Sequence, residues 1–112
     1  MKIIKVTETS IKDTPHKVDT RLLYDNDNAQ AVHITLQPGE TLKPHITPVD
    51  VFFYILEGTP TVHIGDKKQI VEVDSLVESP KDIVHYISNN STKLARVLVV
   101  KAPKPQGVTR LL

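Results

Sequence analysis

Short runs rich in valine, isoleucine and threonine recur along this chain with turn residues between them, and no stretch keeps the 3.6-residue period of a long amphipathic helix. Val, Ile and Thr supply 35 of the 112 residues and Ala only 4, so side chains that are stiff at χ1 and pack well on a pleated surface dominate. The pattern predicts strands at Lys2–Val6, Arg21–Tyr24, Gln30–Leu36, Val51–Glu57, Thr61–Ile64, Gln69–Val73, Ser75–Glu78, Val84–Ser88 and Leu94–Lys101, an all-β sandwich or barrel. Asp25–Asn28, Gly65-Asp66 and Asn89–Ser91 supply residues that tolerate the left-handed backbone angles of tight turns. In Gln30–Leu36, Val32, Ile34 and Leu36 alternate with Ala31, His33 and Thr35, as in a half-buried strand. Val51–Leu56 is apolar on both faces, which suits a strand covered by a second sheet on one side and by a subunit on the other. Pro103 and Pro105 remove two amide donors close together, so the strand order ends near Lys101. Gln106–Leu112 then reads as an arm or a disordered end whose Leu111-Leu112 pair can dock on a neighbour.

A chain of this length builds one hydrophobic core, so residues 1–112 read as one domain, with the barrel at about 20–101 and a C-terminal arm at 102–112. Fourteen Lys+Arg balance 13 Asp+Glu, and only three Tyr and two Phe are present, so nucleic acid is not an expected partner. The absence of cysteine excludes disulfides, thiolate metal sites and a cysteine nucleophile. No apolar run approaches the ~18 residues that cross a bilayer. Met1–Val6 lacks the apolar core of a secretory signal, so no membrane association and a cytoplasmic location are expected. Phosphate-cradling loops, nucleophile elbows and His-Glu-x-x-His pairs are missing as well.

Two spaced sets of residues remain. The first runs Gly39, five residues, His45, one residue, Thr47, three residues, Val51, six residues, Gly58. The second runs Asp74, five residues, Pro80, one residue, Asp82, two residues, His85, three residues, Asn89. Together they resemble the two motifs of the cupin superfamily, matching them at Gly39, His45 and Gly58 and at Pro80, His85 and Asn89. Thr47 stands where the family has its second His, Val51 where it has Glu, and Asp74 and Asp82 where it has two turn glycines. Aspartate is among the few residues that visit positive φ, so these last replacements are compatible with the turns. The resemblance spans about residues 30–101 and implies a cupin-type double-stranded β-helix, a jelly-roll barrel with a small pocket in its open end.

In metal-bearing cupins three His and one Glu converge on Fe, Mn, Ni, Zn or Cu. This chain keeps two of those histidines, His45 and His85. Asp50, one residue before the family's Glu position, points opposite to Val51 in an uninterrupted strand, but Pro48 disturbs the approach and a one-residue difference there turns it inward. The resemblance therefore leaves open two sites, one in which His45 and His85, with or without Asp50, hold Fe, Mn, Ni or Zn, and one that has lost its metal. The implied ligand pocket comprises His45, Thr47, Val51, Phe53, Ile55 and His85, with Val62 and Ile64 extending its apolar wall and Lys43 and Pro44 near its mouth. Phe52 and Tyr54 pack outward. His33 and His63 read as surface or interface residues, and His16 lies in a polar entry segment without a signal. Three functions stay open: binding of a small-molecule ligand, as in a sensor or accessory subunit; metal-dependent oxygenase, decarboxylase or isomerase chemistry; and metal-free isomerisation or epimerisation by a pocket histidine. Small cupins dimerise through an N-terminal strand, which implies a homodimer formed by Lys2–Val6.

Overall fold

A computed structural model describes residues 1–106 and 110–112. Its strands are β1 Asp19–Asn26, β2 Ala29–Leu36, β3 His45–Ile46, β4 Val51–Glu57, β5 Thr61–Ile64, β6 Lys67–Ile70, β7 Leu76–Ser79, β8 Val84–Ser88, β9 Ala95–Lys101 and β10 Arg110–Leu111. They form two antiparallel sheets in the orders β1-β2-β9-β4-β7 and β10-β3-β8-β5-β6, the double-sheet barrel expected of a jelly roll. Among the described residues no helix is long and apolar enough to cross a membrane.

The alternation in the sequence becomes the inner face of the first sheet. Register places Val32 beside Val99 and Ile34 beside Val97 on β2 and β9, and Phe53 beside Val99 and Ile55 beside Val97 on β4 and β9. These side chains therefore stack in rows across three strands. Leu36, Ile55, Ile87 and Val97 are fully buried where the rows meet the second sheet. Each such side chain contributes about 1.5–3 kcal/mol by leaving water.

The turns explain the motif residues. Asp74 and Asp82 both adopt positive φ, 64° and 65°, the glycine-like conformation that their positions in the second set require. In the β1–β2 hairpin, Asn26 Oδ1 accepts the N–H groups of Asn28 and Ala29 at 2.8 and 3.1 Å. Asn89 is wholly buried. Its Nδ2 donates to the carbonyls of Leu36 and Lys93 at 2.9 and 2.8 Å, and its Oδ1 accepts from Ser91 N–H at 3.1 Å, so one amide ties the end of β2 to the β8–β9 loop.

Three expectations are corrected. Lys2–Val6 forms no strand within its own chain: Val6–Glu8 form a single 3-10 turn, and Ile3 and Ile4 stay exposed. The segment meets no ladder partner in its own chain, and β-branched composition alone cannot make a strand without one. Part of the expected free arm pairs with its own barrel. Arg110–Leu111 pairs with β3, Leu111 opposite His45, and Leu112 N–H donates to Pro44 O at 3.1 Å; residues 107–109 of the expected arm lie outside the described residues. His33 is buried, 1% exposed, although it shares the outward face of its strand. Arg21 lies directly across from it on β1, and Arg96 Nη1 donates to its Nε2 at 3.1 Å, so two long cationic side chains cover the ring.

Candidate functional site

Between the two sheets, at the end where β3, β8 and the start of β4 meet, lies a cavity of about 310 Å³. Thr20 and Leu22 from β1, Gln30, Val32 and Ile34 from β2, Val51 and Phe53 from β4, and Val99 and Lys101 from β9 supply one wall. His45 and His85, with Leu42 and Leu111, supply the other, and Lys12, Thr14, Pro15 and His16 close over the mouth. The inward parity of each strand puts these side chains there. Two residues further along, Leu36, Ile55 and Val97 are fully buried and line no part of the cavity, which lies at the His45 and His85 end of the barrel.

Of the expected pocket residues, His45, Val51, Phe53 and His85 line this cavity. Thr47 and Ile55 do not. Thr47 sits buried beside His85 with its Oγ1 3.1 Å from Nε2, and Ile55 belongs to the filled end of the core. Val62 and Ile64 likewise fall outside it, on a shallow depression beside β6 and β7. Lys43 contributes through its peptide groups, and Pro44 anchors Leu112.

Adjacent positions on β3 and β8 bring His45 opposite His85, their ring centroids 4.6 Å apart and inclined at 71°. His16, from the polar entry segment, adds a third ring 4.9 Å from His45. The peptide groups of Lys43 hold two of these rings in opposite tautomers. Lys43 N–H donates to His16 Nδ1 at 2.8 Å, and Lys43 O accepts from His45 Nδ1 at 2.8 Å. In their neutral forms His16 then carries its proton on Nε2, whereas His45 has a free lone pair at Nε2. That lone pair can accept a hydrogen bond or a proton. His85 is fully engaged, its Nδ1 with Ser79 Oγ at 2.6 Å and its Nε2 with Thr47 Oγ1, and Phe53 packs edge-on against it at 5.4 Å.

Burial keeps all three rings neutral near pH 7. Desolvation, reinforced by the neighbouring His45 and Lys101, pushes His16 and His85 down to about 4, and desolvation lowers His45 as well. Lys101 itself is held below the usual lysine range by burial and by the charge of Lys12.

Asp50 does not join the histidines. It points to the outside of the sheet, where its Oδ1 accepts Lys81 N–H at 2.9 Å, as the period-two rule requires for the neighbour of inward Val51. Among the described residues no three His, Asp or Glu side chains are placed to hold a metal ion. Among the described residues the cavity wall has no carboxylate side chain, Val51 stands at the carboxylate position, and Lys101 lies beside it in register. A divalent cation would face an ammonium group in place of an acid. The donor set does not fit the metal that the resemblance implied.

His16, Lys12 and Lys101 were not legible as site residues. The first two lie in a segment without periodicity. Lys101 did carry a signal, because it continues the inward row Ala95, Val97, Val99 at the end of β9.

The family model described as "Cupin domain" matches residues 32–101. No curated protein matches the chain. Among solved structures, TT1209 from Thermus thermophilus is 25% identical and superposes with a TM-score of 0.80, covering 94% of this chain and 100% of that one. The polyketide cyclase RemF from Streptomyces resistomycificus is 19% identical, with a TM-score of 0.85 over 100% of this chain and 85% of its own. An RmlC-like cupin family protein with a double-stranded β-helix fold from Methanocaldococcus jannaschii is 25% identical, with a TM-score of 0.76 over 95% and 96%.

Proposed function

The chain belongs to the cupin domain family, and on that premise we propose that its barrel serves to bind a small, largely apolar organic molecule. One observation carries this reading: the barrel end that holds His45 and His85 encloses a cavity with an apolar body and a few convergent polar groups. That combination is the usual form of a small-molecule site, and about 310 Å³ suffices for a bicyclic ring system. Leu22, Val32, Ile34 and Val99 supply the apolar contacts, and His16 and His45 offer one donor and one acceptor.

The test uses 2-naphthamide, a neutral bicyclic probe, titrated while amide resonances of the protein are followed by NMR. Saturable shifts at Phe53 and Val99 are expected, and Leu22→Trp, which extends a half-buried side chain into the cavity, is expected to abolish them while the melting temperature stays near that of the parent. Shifts that are scattered over the surface, or unchanged in Leu22→Trp, would remove the reading.

The same proposal includes a homodimer in which the segment Lys2–Val6, which has no ladder in its own chain, adds to a sheet edge of a second copy. Sedimentation at micromolar concentration is expected to give twice the 12.5 kDa of one chain, falling to one chain when residues 1–5 are deleted.

A further inference from the structure

We propose that the molecule bound in this cavity is an organic carboxylate, its anionic head held by Lys101 with Lys12 at the mouth and its apolar body between the two sheets. This rests on the reading of the cavity as a ligand site and adds the chemical class of the ligand. Inward positions of β9 run Ala95, Val97, Val99, Lys101, so an ammonium group stands where the row would otherwise continue with an apolar side chain. Its register neighbours are Val51 on β4 and Gln30 on β2, neither of which neutralises it.

Among the described residues no carboxylate lies within 4 Å of Lys101 or Lys12. The ion pairs of the structure, Lys5–Glu8, Lys17–Asp13, Arg21–Asp19, Arg96–Glu57 and Lys104–Asp25, all lie outside the cavity. An ammonium drawn away from water without a counter-charge is unfavourable, and a chain that keeps one there gains when an anion arrives. The lowering of the Lys101 pKa by burial and by Lys12 agrees with this, and so does its effect on all three cavity histidines. The Nε2–H of neutral His16 supplies a further donor among the same group of side chains. Among the described residues no glycine-rich loop or helix terminus converges here to take a phosphate dianion, and the rest of the wall is mostly apolar. A monoanion on a hydrocarbon frame matches that wall best.

The experiment compares 2-naphthoate with its shape-matched neutral amide, 2-naphthamide, on the wild type and on Lys101→Met. The wild type is expected to bind naphthoate at least about tenfold more tightly than the amide, the size of one charge-assisted hydrogen bond. Lys101→Met is expected to erase that preference, so that acid and amide bind the variant with similar affinity. A readout independent of any variant is pH. Naphthoate affinity is expected to fall as pH is raised through the lowered titration range of Lys101, while amide affinity stays flat. The titratable histidines of the cavity, His16, His45 and His85, are already neutral there. Equal binding of acid and amide by the wild type, or a preference that survives in Lys101→Met, would overturn this inference and leave the ligand site standing. Binding of neither would overturn both.

Discussion

Gly58→Ala is expected to cost more than about 4 kcal/mol, a large share of the about 5–15 kcal/mol that holds a domain folded. Gly58 has φ +81°, and a Cβ built there would sit 2.4 Å from Leu94 O and 2.9 Å from Ala95 Cα. Both are backbone atoms at the start of β9, so no rotamer change relieves the contact. The glycine directly follows β4, where its pairing with β9 shifts register between Ile55 and Glu57, and the chain passes so close to β9 that only a hydrogen fits. Gly39→Ala is the control. Its φ is +87°, but a Cβ there meets nothing within 4 Å, so only the conformational term of about 1–2 kcal/mol remains. Urea unfolding of the two variants should therefore separate them clearly, and similar midpoints would mean that the approach of Gly58 to Leu94 is not tight.

Acidification is the second large effect. His85 has an ordinary pKa of 6.5 when unfolded and about 4 when folded, because desolvation, then the neighbouring His45 and Lys101, disfavour its charged form. Between those values the unfolded chain binds a proton that the folded chain refuses, so stability is full above about 6.5 and is lost as pH falls toward 4. The loss from this ring is about 3 kcal/mol. His16 titrates in the same direction but is only half-buried, so its share is smaller. The measurement is the urea midpoint between pH 7.5 and 4.5 for the parent and for His85→Gln. A steep fall in the parent and a shallower one in the variant are expected. A midpoint independent of pH over that interval would mean that His85 is readily protonated in the folded barrel, against its enclosure by Ser79, Thr47 and Phe53.

Strand positions were legible wherever apolar residues alternate against a covered face, as in β2 and β4. They were not legible where pairing alone defines the element. The two-residue β3 and β10 exist because His45 pairs with His85 on one side and Leu111 on the other, and no local pattern marks either. In reverse, Lys2–Val6 has the composition of a strand and no partner in its chain. The misreading of His33 has the same origin: its burial comes from Arg21 and Arg96 on the adjoining strands, not from its own neighbours in sequence.

At the site, the resemblance of the two motifs to the cupin pattern implied that His45 and His85 share the barrel end and that Asp74 and Asp82 stand at glycine-like turns, and the structure places them so. The sequence by itself determined, through the parity of β4, that Val51 and Phe53 share one face, which is the inward one. Tertiary structure decided the rest. It turned Asp50 outward, brought His16 from a featureless segment to within 4.9 Å of His45, and set Lys101 beside Val51 with no acid in reach. Whether a polar side chain meets a partner, a cation or a cavity depends on strands distant in sequence, and only the closed barrel brings those strands together.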